Sequence, residues 1–406
     1  MRLCRAPHEV KKQMDPELRR LYLQDLEEIE EELREFGPST DLLLEKAEIL
    51  DFLGEQDRAL QVLREALSNE PDNPDLWNNL GVVYKNMGEY EEAFEALMKS
   101  QRLEPNRPVT LKNIGDVLFF MYRDDEARLW YERALRSDRN DPWALTGKAQ
   151  ILVTKHQYES GLELFDRALA IDPEYAWAYG GQGMALLGLN RYEEAIESFD
   201  NAIELDPEWD HPHCGKADAL HRLGSLKEAE AEYRTALRLD ELDPLKWQDL
   251  GNVLLDMGRY RDSLRAFRRA AHIDRALVRA HSGMAHALDM IGRPQEALAE
   301  YEIALSLDDA DPSIWNNRAV LMAESMKNFQ EALVSYQKAL ALDPEYHLAR
   351  FNLAQLLAKM GQPERAREEL QRVEEILAEL GPEAIPELRE EDLEWIRSSL
   401  HQPVDN

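Results

Sequence analysis

Residues 74–107 read PDLWNNLGVVYKNMGEYEEAFEALMKSQRLEPNR. Trp77, Leu80, Gly81 and Tyr84 stand in the spacing W-x2-L-G-x2-Y. Ala93 and Leu97 follow as a small and a large residue four apart, and Pro105 closes the stretch. Asn73 before Pro74 is a helix-start signal, since asparagine caps orphan amides and proline suits the first turn. Gly88 is a stop signal, because glycine ends a helix without a Cβ clash. The stretch therefore predicts two helices joined at a tight turn.

The same frame recurs at a spacing of 34 residues. Units begin at Thr40, Pro74, Pro108, Pro142, Ala176, Asp210, Pro244, Val278, Pro312 and His347, and the ninth carries one extra residue near Ser325 to Asn328. The eighth position is glycine or alanine in all ten units: Ala47, Gly81, Gly115, Ala149, Gly183, Ala217, Gly251, Ala285, Ala319 and Ala354. The twentieth is always small, from Ala59 and Ala93 through Gly161 and Ser263 to Ala366. Small residues at these places allow two helices to approach closely. The twenty-fourth is large: Leu63, Leu97, Tyr131, Phe165, Phe199, Tyr233, Phe267, Tyr301, Tyr336 and Leu370. Such residues fill the space between successive helix pairs. Asp141, Asp243 and Asp311 repeat the cap at Asn73, and Gly54, Asn190, Gly224, Gly258, Gly292 and Gly361 repeat the stop at Gly88.

This pattern resembles the tetratricopeptide repeat (TPR), with leucine at Leu97 where phenylalanine is usual. The resemblance implies an all-α fold, a right-handed TPR solenoid of about ten helix-turn-helix repeats. It also implies that the first helix of each pair lines a concave groove, mainly through positions 2, 5, 6, 9, 12 and 13 of each unit. Residues 1–39 read as an N-terminal helical cap, 40–380 as the ten repeats, and 381–406 as a C-terminal capping helix and tail. In the first cap a helix is expected from Pro16 to about Phe36. Its seam of Tyr22, Leu26, Ile29, Leu33 and Phe36 fits packing onto the first repeat better than a two-heptad coiled coil. In the last, Leu393, Ile396 and Leu400 would cover the tenth repeat.

Composition narrows the function classes. The chain has 48 basic and 80 acidic residues, a formal net charge of −32. That charge repels phosphate backbones and anionic membranes, so neither nucleic acid nor membrane is an expected partner. It points to basic or neutral protein segments, bound more weakly as salt rises. No run of about 18 apolar residues suggests a membrane span. Cys4 and Cys214 are too few for a disulfide framework, which suits a reducing, cytoplasmic compartment.

No phosphate-binding loop, zinc-protease motif, C-x-x-C pair or nucleophile elbow occurs, so neither an enzyme nor a cofactor is expected. His211, Cys214, Asp218 and His221 share a helix face, but the end histidines would stand about 15 Å apart, too far for one ion. A polar groove wall is the better reading, and no metal is expected. The best overall reading is a non-enzymatic scaffold or adaptor that binds a peptide or protein partner in the groove. The alternative is a self-associating regulatory or targeting subunit of a larger complex.

The candidate binding residues lie on the inner positions. Asn79, Asn113, Asn317 and Asn352 occupy position 6, where an amide can hold a peptide backbone through donor and acceptor together. They resemble a broken form of the asparagine ladder in O-linked GlcNAc transferases, whose catalytic domain is absent here. Phe119, Phe120, Trp143, Trp177 and Met184 stand beside Gly147, Gly180, Gly181 and Gly215, so open space next to large apolar groups is expected. The lysine and asparagine set by which some TPR proteins grip a chaperone's terminal carboxylate is missing. Its nearest fragment is Lys112 beside Asp116, whose acid would repel that group.

Overall fold

The computed structural model describes residues 16–380. Helix α1 spans Pro16–Phe36. Ten helix pairs follow: α2 (Thr40–Phe52) with α3 (Gln56–Asn69), α4 (Pro74–Asn86) with α5 (Tyr90–Leu103), α6 (Pro108–Phe120) with α7 (Asp124–Ser137), α8 (Pro142–Thr154) with α9 (Tyr158–Ile171), and α10 (Ala176–Gly188) with α11 (Tyr192–Leu205). Then come α12 (Asp210–Arg222) with α13 (Leu226–Leu239), α14 (Pro244–Asp256) with α15 (Tyr260–Ile273), α16 (Val278–Met290) with α17 (Pro294–Leu307), α18 (Pro312–Val320) with α19 (Phe329–Leu342), and α20 (His347–Lys359) with α21 (Pro363–Leu380). Every first helix starts on the residue that opens its sequence unit. No strand occurs among the described residues, and the fold is an all-α TPR solenoid. The chain divides into two compact units, one ending at Ser225 and the other beginning at Leu226. The proposed C-terminal cap around Leu393, Ile396 and Leu400 lies outside the described residues.

Local chemistry fixes the helix ends. Asn73 accepts from the amides of Asp75 and Leu76 at 2.9 and 3.3 Å. Asp141 caps α8 in the same way, and Asp243 and Asp311 cap α14 and α18 through one amide each. Tryptophan at position 4 ties each of three helix starts to the turn before it: the indole N–H of Trp77 donates to the Pro71 carbonyl, that of Trp247 to Glu241 and that of Trp315 to Asp309, at 2.8–2.9 Å. Between the helices of a pair the chain passes through a left-handed residue in all ten repeats. Six are glycines and one is Asn190, but Tyr122, His156 and Lys327 also take positive φ, at 59°, 59° and 56°. Side chains there accept a strain of about 1–2 kcal/mol each. The extra residue of repeat nine is absorbed slightly earlier than its sequence position suggests, as a π-helical turn over Leu321–Ser325.

The packing between repeats rests on the large residue at position 24. Tyr131, Phe165, Phe199 and Phe267 are each no more than 2% exposed. Each ring lies against the position-6 glycine of the following repeat, and three of them also against the position-8 glycine of their own. A Cβ on Gly115 would come within 2.7 Å of Tyr131, and one on Gly147 within 2.4 Å of the same ring. Phe199 stands likewise between Gly183 and Gly215, at 2.6 and 2.3 Å, and Phe267 between Gly251 and Gly283, at 2.7 and 2.4 Å. Phe165 meets Gly181 at 2.3 Å. The open space expected beside Gly147, Gly181 and Gly215 is therefore filled from behind by aromatic rings. Gly180 is filled too, by Trp209 at 2.4 Å.

At two of the position-6 asparagines the amide couples repeats instead. Asn113 donates to Asn78 and Asn352 to Asn316, both at 3.1 Å. At the N-terminal end Leu26 and Ile29 are buried, Tyr22 and Leu33 pack beside them on repeat one, and Tyr22 stacks on Phe52 with ring centroids 5.6 Å apart. Phe36 departs from the expected seam and is 75% exposed.

A substitution tests the ring-and-glycine interlock. Gly215→Ala drives a methyl into Phe199 and should cost about 1–3 kcal/mol in urea unfolding. Adding Phe199→Leu should recover part of that loss, because leucine is what precedes the position-6 asparagines at Asn79 and Asn113. A double variant that loses as much as the two single changes summed would refute the interlock.

Candidate functional site

Within the first unit, repeats two to five frame a cavity of about 370 Å³. Its walls are Phe119 and Phe120 from α6, Trp143 at the start of α8, and Tyr175 and Trp177 around the start of α10. Its floor is Gly147, with the Tyr131 ring pressed against that backbone. Thr146 and Gln150 add two buried polar groups, and Lys85, Asn86, Lys112 and Asp116 close the side toward repeats two and three. All of these except Tyr131 and Tyr175 belong to the first helices of their pairs or, as Ala176 does, begin one.

The rings are held to different degrees. Trp143 is 51% exposed and meets Tyr175 edge to face, with centroids 6.0 Å apart. Trp177 is half-buried and stacks on Trp209 at 5.0 Å and 9°. Phe119 is buried, and Phe120 stacks on Tyr90 at 5.6 Å. The Tyr131 hydroxyl donates to Asp116 Oδ1 at 2.8 Å, while Lys112 Nζ donates to Oδ2 at 3.0 Å. Burial, reinforced by the neighbouring Asp116 carboxylate, holds the Tyr131 phenol well above its ordinary range, so it remains a donor. Asn86 is fixed by a 2.7 Å bond from its amide to Asp51 Oδ2. Burial raises the Asp51 carboxyl, partly offset by the bonds from Asn86 and Gln56.

The structure brings Phe119, Phe120, Trp143 and Trp177 together around this cavity and leaves the other candidates elsewhere. Asn113 is buried and donates to Asn78, so its amide is engaged inside the array and not offered to a ligand. Asn79 donates to Glu48 at 3.0 Å. Met184 packs between the clusters built around Phe165 and Phe199. Asn317 and Asn352 belong to the second unit, where Asn316 donates to Asn317 at 3.1 Å. Thr146, Gln150 and Tyr175 were not anticipated. The first two stand at positions 5 and 9, already known as inner columns, whereas Tyr175 lies in a turn that no column describes. Among the described residues, no three histidine, cysteine, aspartate or glutamate groups gather as a metal site, and no helix is long and apolar enough to cross a membrane.

Family comparison agrees with this architecture. Models described as tetratricopeptide repeat or TPR repeat match residues 53–88, 72–140, 176–208, 211–241, 249–313 and 323–383. The chain belongs to the TPR family, and at that level it is a protein–protein interaction scaffold. A TPR repeat-containing thioredoxin, TTL4 of Arabidopsis thaliana, is 38% identical over 79 residues, 20% of this chain and 11% of that protein. The chain thus matches about a tenth of that relative's length.

Similar solved structures include YrrB, described as a TPR protein with an unusual peptide-binding site. It is 25% identical over 46% of this chain and 96% of that one, with a TM-score of 0.39. The Cut9–Hcn1 hetero-tetramer of the APC/C is 14% identical, covering 95% and 94% at a TM-score of 0.49. Yeast Tom70 is 15% identical, covering 95% and 94% at 0.48.

Two predictions follow from the geometry. Trp177→Ala removes a stacked partner of buried Trp209 and should lower unfolding stability by about 1–3 kcal/mol, whereas Trp143→Ala, with only an edge contact, should cost under about 1 kcal/mol. Equal losses would contradict these placements. Asp51→Asn should stabilise the chain near neutral pH. An acid whose folded pKa is raised binds protons more readily when folded, so it loses stability as pH rises from the unfolded value, about 3.9, through the folded one. The advantage of the amide should therefore vanish near pH 3. An advantage that persists there would show that charge burial is not its cause.

Proposed function

We propose that the chain is a non-enzymatic adaptor that holds an extended segment of a partner protein along the inner positions of repeats two to five. Phe119, Phe120, Trp143 and Trp177 are its apolar contacts. The observation that carries this reading is the cavity itself, where four predicted apolar residues from three successive repeats face one space. Large aromatic groups in such a place are the usual source of binding energy.

The distribution of charge sharpens the reading. At inner positions of repeats two to five only Asp75, Lys85, Lys112 and Asp116 are charged, two of each sign, and repeats four and five carry none. The net charge of −32 therefore stands on other surfaces. The groove suits a neutral, apolar segment, and the net charge serves solubility. The self-association reading has less support, because Tyr22, Leu26, Ile29 and Leu33 are engaged on repeat one.

An array of neutral aromatic, basic and acidic peptides presented to the intact chain tests this. Neutral aromatic peptides should bind best, and their affinity should change less than about twofold between 0.1 M and 1 M salt, over which the screening length falls from about 10 to about 3 Å. Trp143→Ala should cost about 2 kcal/mol or more of that binding. Preference for basic peptides, lost in high salt, would refute the reading.

A further inference from the structure

One helix departs from the charge of the whole chain. Residues 259–279 hold seven arginines and two aspartates, a local charge of +5 in a chain whose net charge is −32. Helix α15 carries the centre of this stretch. Its buried side, which includes Leu264, Phe267 and Ala270, packs on α14 and α16, so the opposite side is turned to solvent. Arg261, Arg265, Arg268 and His272 stand there at i, i+4, i+7 and i+11, and all four are exposed. Half-buried Arg269 lies beside them. The same columns carry Glu193, Glu197, Asp200 and Glu204 on α11, and Glu302 in place of Arg268 on α17. The repeat frame therefore does not require this face to be basic.

Carboxylates of the chain use only part of the charge. Glu230 pairs with Arg234 and Arg259 at 2.9 and 2.6 Å, and Asp262 pairs with Arg259 at 2.7 Å and with Arg265. Arg261, Arg268 and Arg269 form no ion pair among the described residues. In a chain with 80 acidic residues against 48 basic ones, an arginine placed without regard to charge would ordinarily meet a carboxylate. Like charges four residues apart also repel along a helix, so the stripe weakens α15 unless something outside the chain neutralises it.

We propose that this face of α15 docks an acidic, extended segment of a partner protein. A guanidinium matches a carboxylate through two parallel N–H donors, which makes arginine the residue suited to this contact. Arg261, Arg265 and Arg268 follow one another at about 4.5–6 Å along the helix, and alternate side chains of an extended chain are about 6.6 Å apart. Glutamates at every second position can therefore meet the arginines in turn. A long polyanion fits worse, because it would also cross surfaces that carry the chain's negative charge, whereas a short segment feels only charges within about 10 Å. The face belongs to the second unit and the aromatic cavity to the first, so the proposal stands without the groove reading.

The test uses the intact chain and two end-blocked, dye-labelled peptides, Gly-Glu-Ala-Glu-Ala-Glu-Gly and its glutamine counterpart, followed by fluorescence anisotropy. Neither carries a ring for the cavity. The glutamate peptide should bind about tenfold more tightly at 0.05 M salt, and most of that advantage should vanish at about 0.3 M, as screening of exposed pairs requires. Arg261→Gln with Arg268→Gln should weaken the glutamate peptide about fivefold or more with the melting curve unchanged, since both side chains are exposed. Arg136→Gln with Arg167→Gln removes the same charge from exposed sites on α7 and α9 and should change that affinity less than about twofold. Arg261→Lys with Arg268→Lys should keep part of the binding, because the charge remains and the paired donors do not. Equal binding of the two peptides, or equal losses in the two glutamine variants, overturns the proposal. Tighter binding of a dye-labelled oligothymidine with three phosphates would assign the face to nucleic acid and overturn it as well. So would a salt-sensitive dimer in light scattering that Arg261→Gln with Arg268→Gln abolishes, since a second copy would then occupy the face.

Discussion

The seating of one ring between two glycines joins neighbouring repeats at three places in this structure. In repeat three, Tyr131 fills the notch made by Gly115 of its own first helix and by Gly147 of the next. Because no Cβ stands at either glycine, the three helices close around a single side chain. The same contact recurs with Phe199 and with Phe267. A buried aromatic group contributes more apolar area than any other, so a solenoid built this way gains much of its nearest-neighbour coupling from one residue per repeat. Elsewhere a second device serves. Asn113 on Asn78 and Asn352 on Asn316 bridge successive first helices by hydrogen bonds, and leucine or tyrosine stands at the preceding position 24.

Much of this was legible in the columns. The starts of α4, α8, α14 and α18 follow from an asparagine or aspartate before proline, and those caps form as chemistry dictates. The turn after α6 was not legible, since Tyr122 carries none of the glycine signal and adopts positive φ only because the repeat imposes it. His156 and Lys327 are alike in this respect. The π turn at Leu321–Ser325 also escaped a reading by columns: an inserted residue shows that the frame shifts but not which turn of helix absorbs it.

The candidate site divides along the same line. Phe119, Phe120, Trp143 and Trp177 were found because size and column together predict their face. Asn113 looked equivalent to any other inner asparagine, yet its carbonyl-bearing neighbour one repeat back is Asn78, and that pairing draws the amide inside. A residue's column gives its direction, and only its neighbours decide whether its hydrogen bonds remain available. The glycine column misled for a related reason. An absent side chain was read as space, although the large residue at position 24 of the preceding repeat, 16 residues earlier, was already placed to fill it. The pairing is visible in the sequence: each of Phe165, Phe199 and Phe267 precedes a position-6 glycine, at Gly181, Gly215 and Gly283.

The interlock and the cavity are therefore consequences of one choice. Glycine at position 147 admits the Tyr131 ring from behind, and it also leaves the inner face of α8 without a side chain at that point. The floor is lowered there, while Trp143 one turn earlier and Phe119 and Phe120 on α6 keep their full height. A recess flanked by rings results, with the Tyr131–Asp116–Lys112 bonds fixing one side. Asparagine in place of Gly147 would supply a bridging amide but would fill both spaces at once. The repeats that carry glycine at position 6 thus trade a hydrogen bond between helices for aromatic packing, and in repeat four the exchange leaves a concave apolar surface.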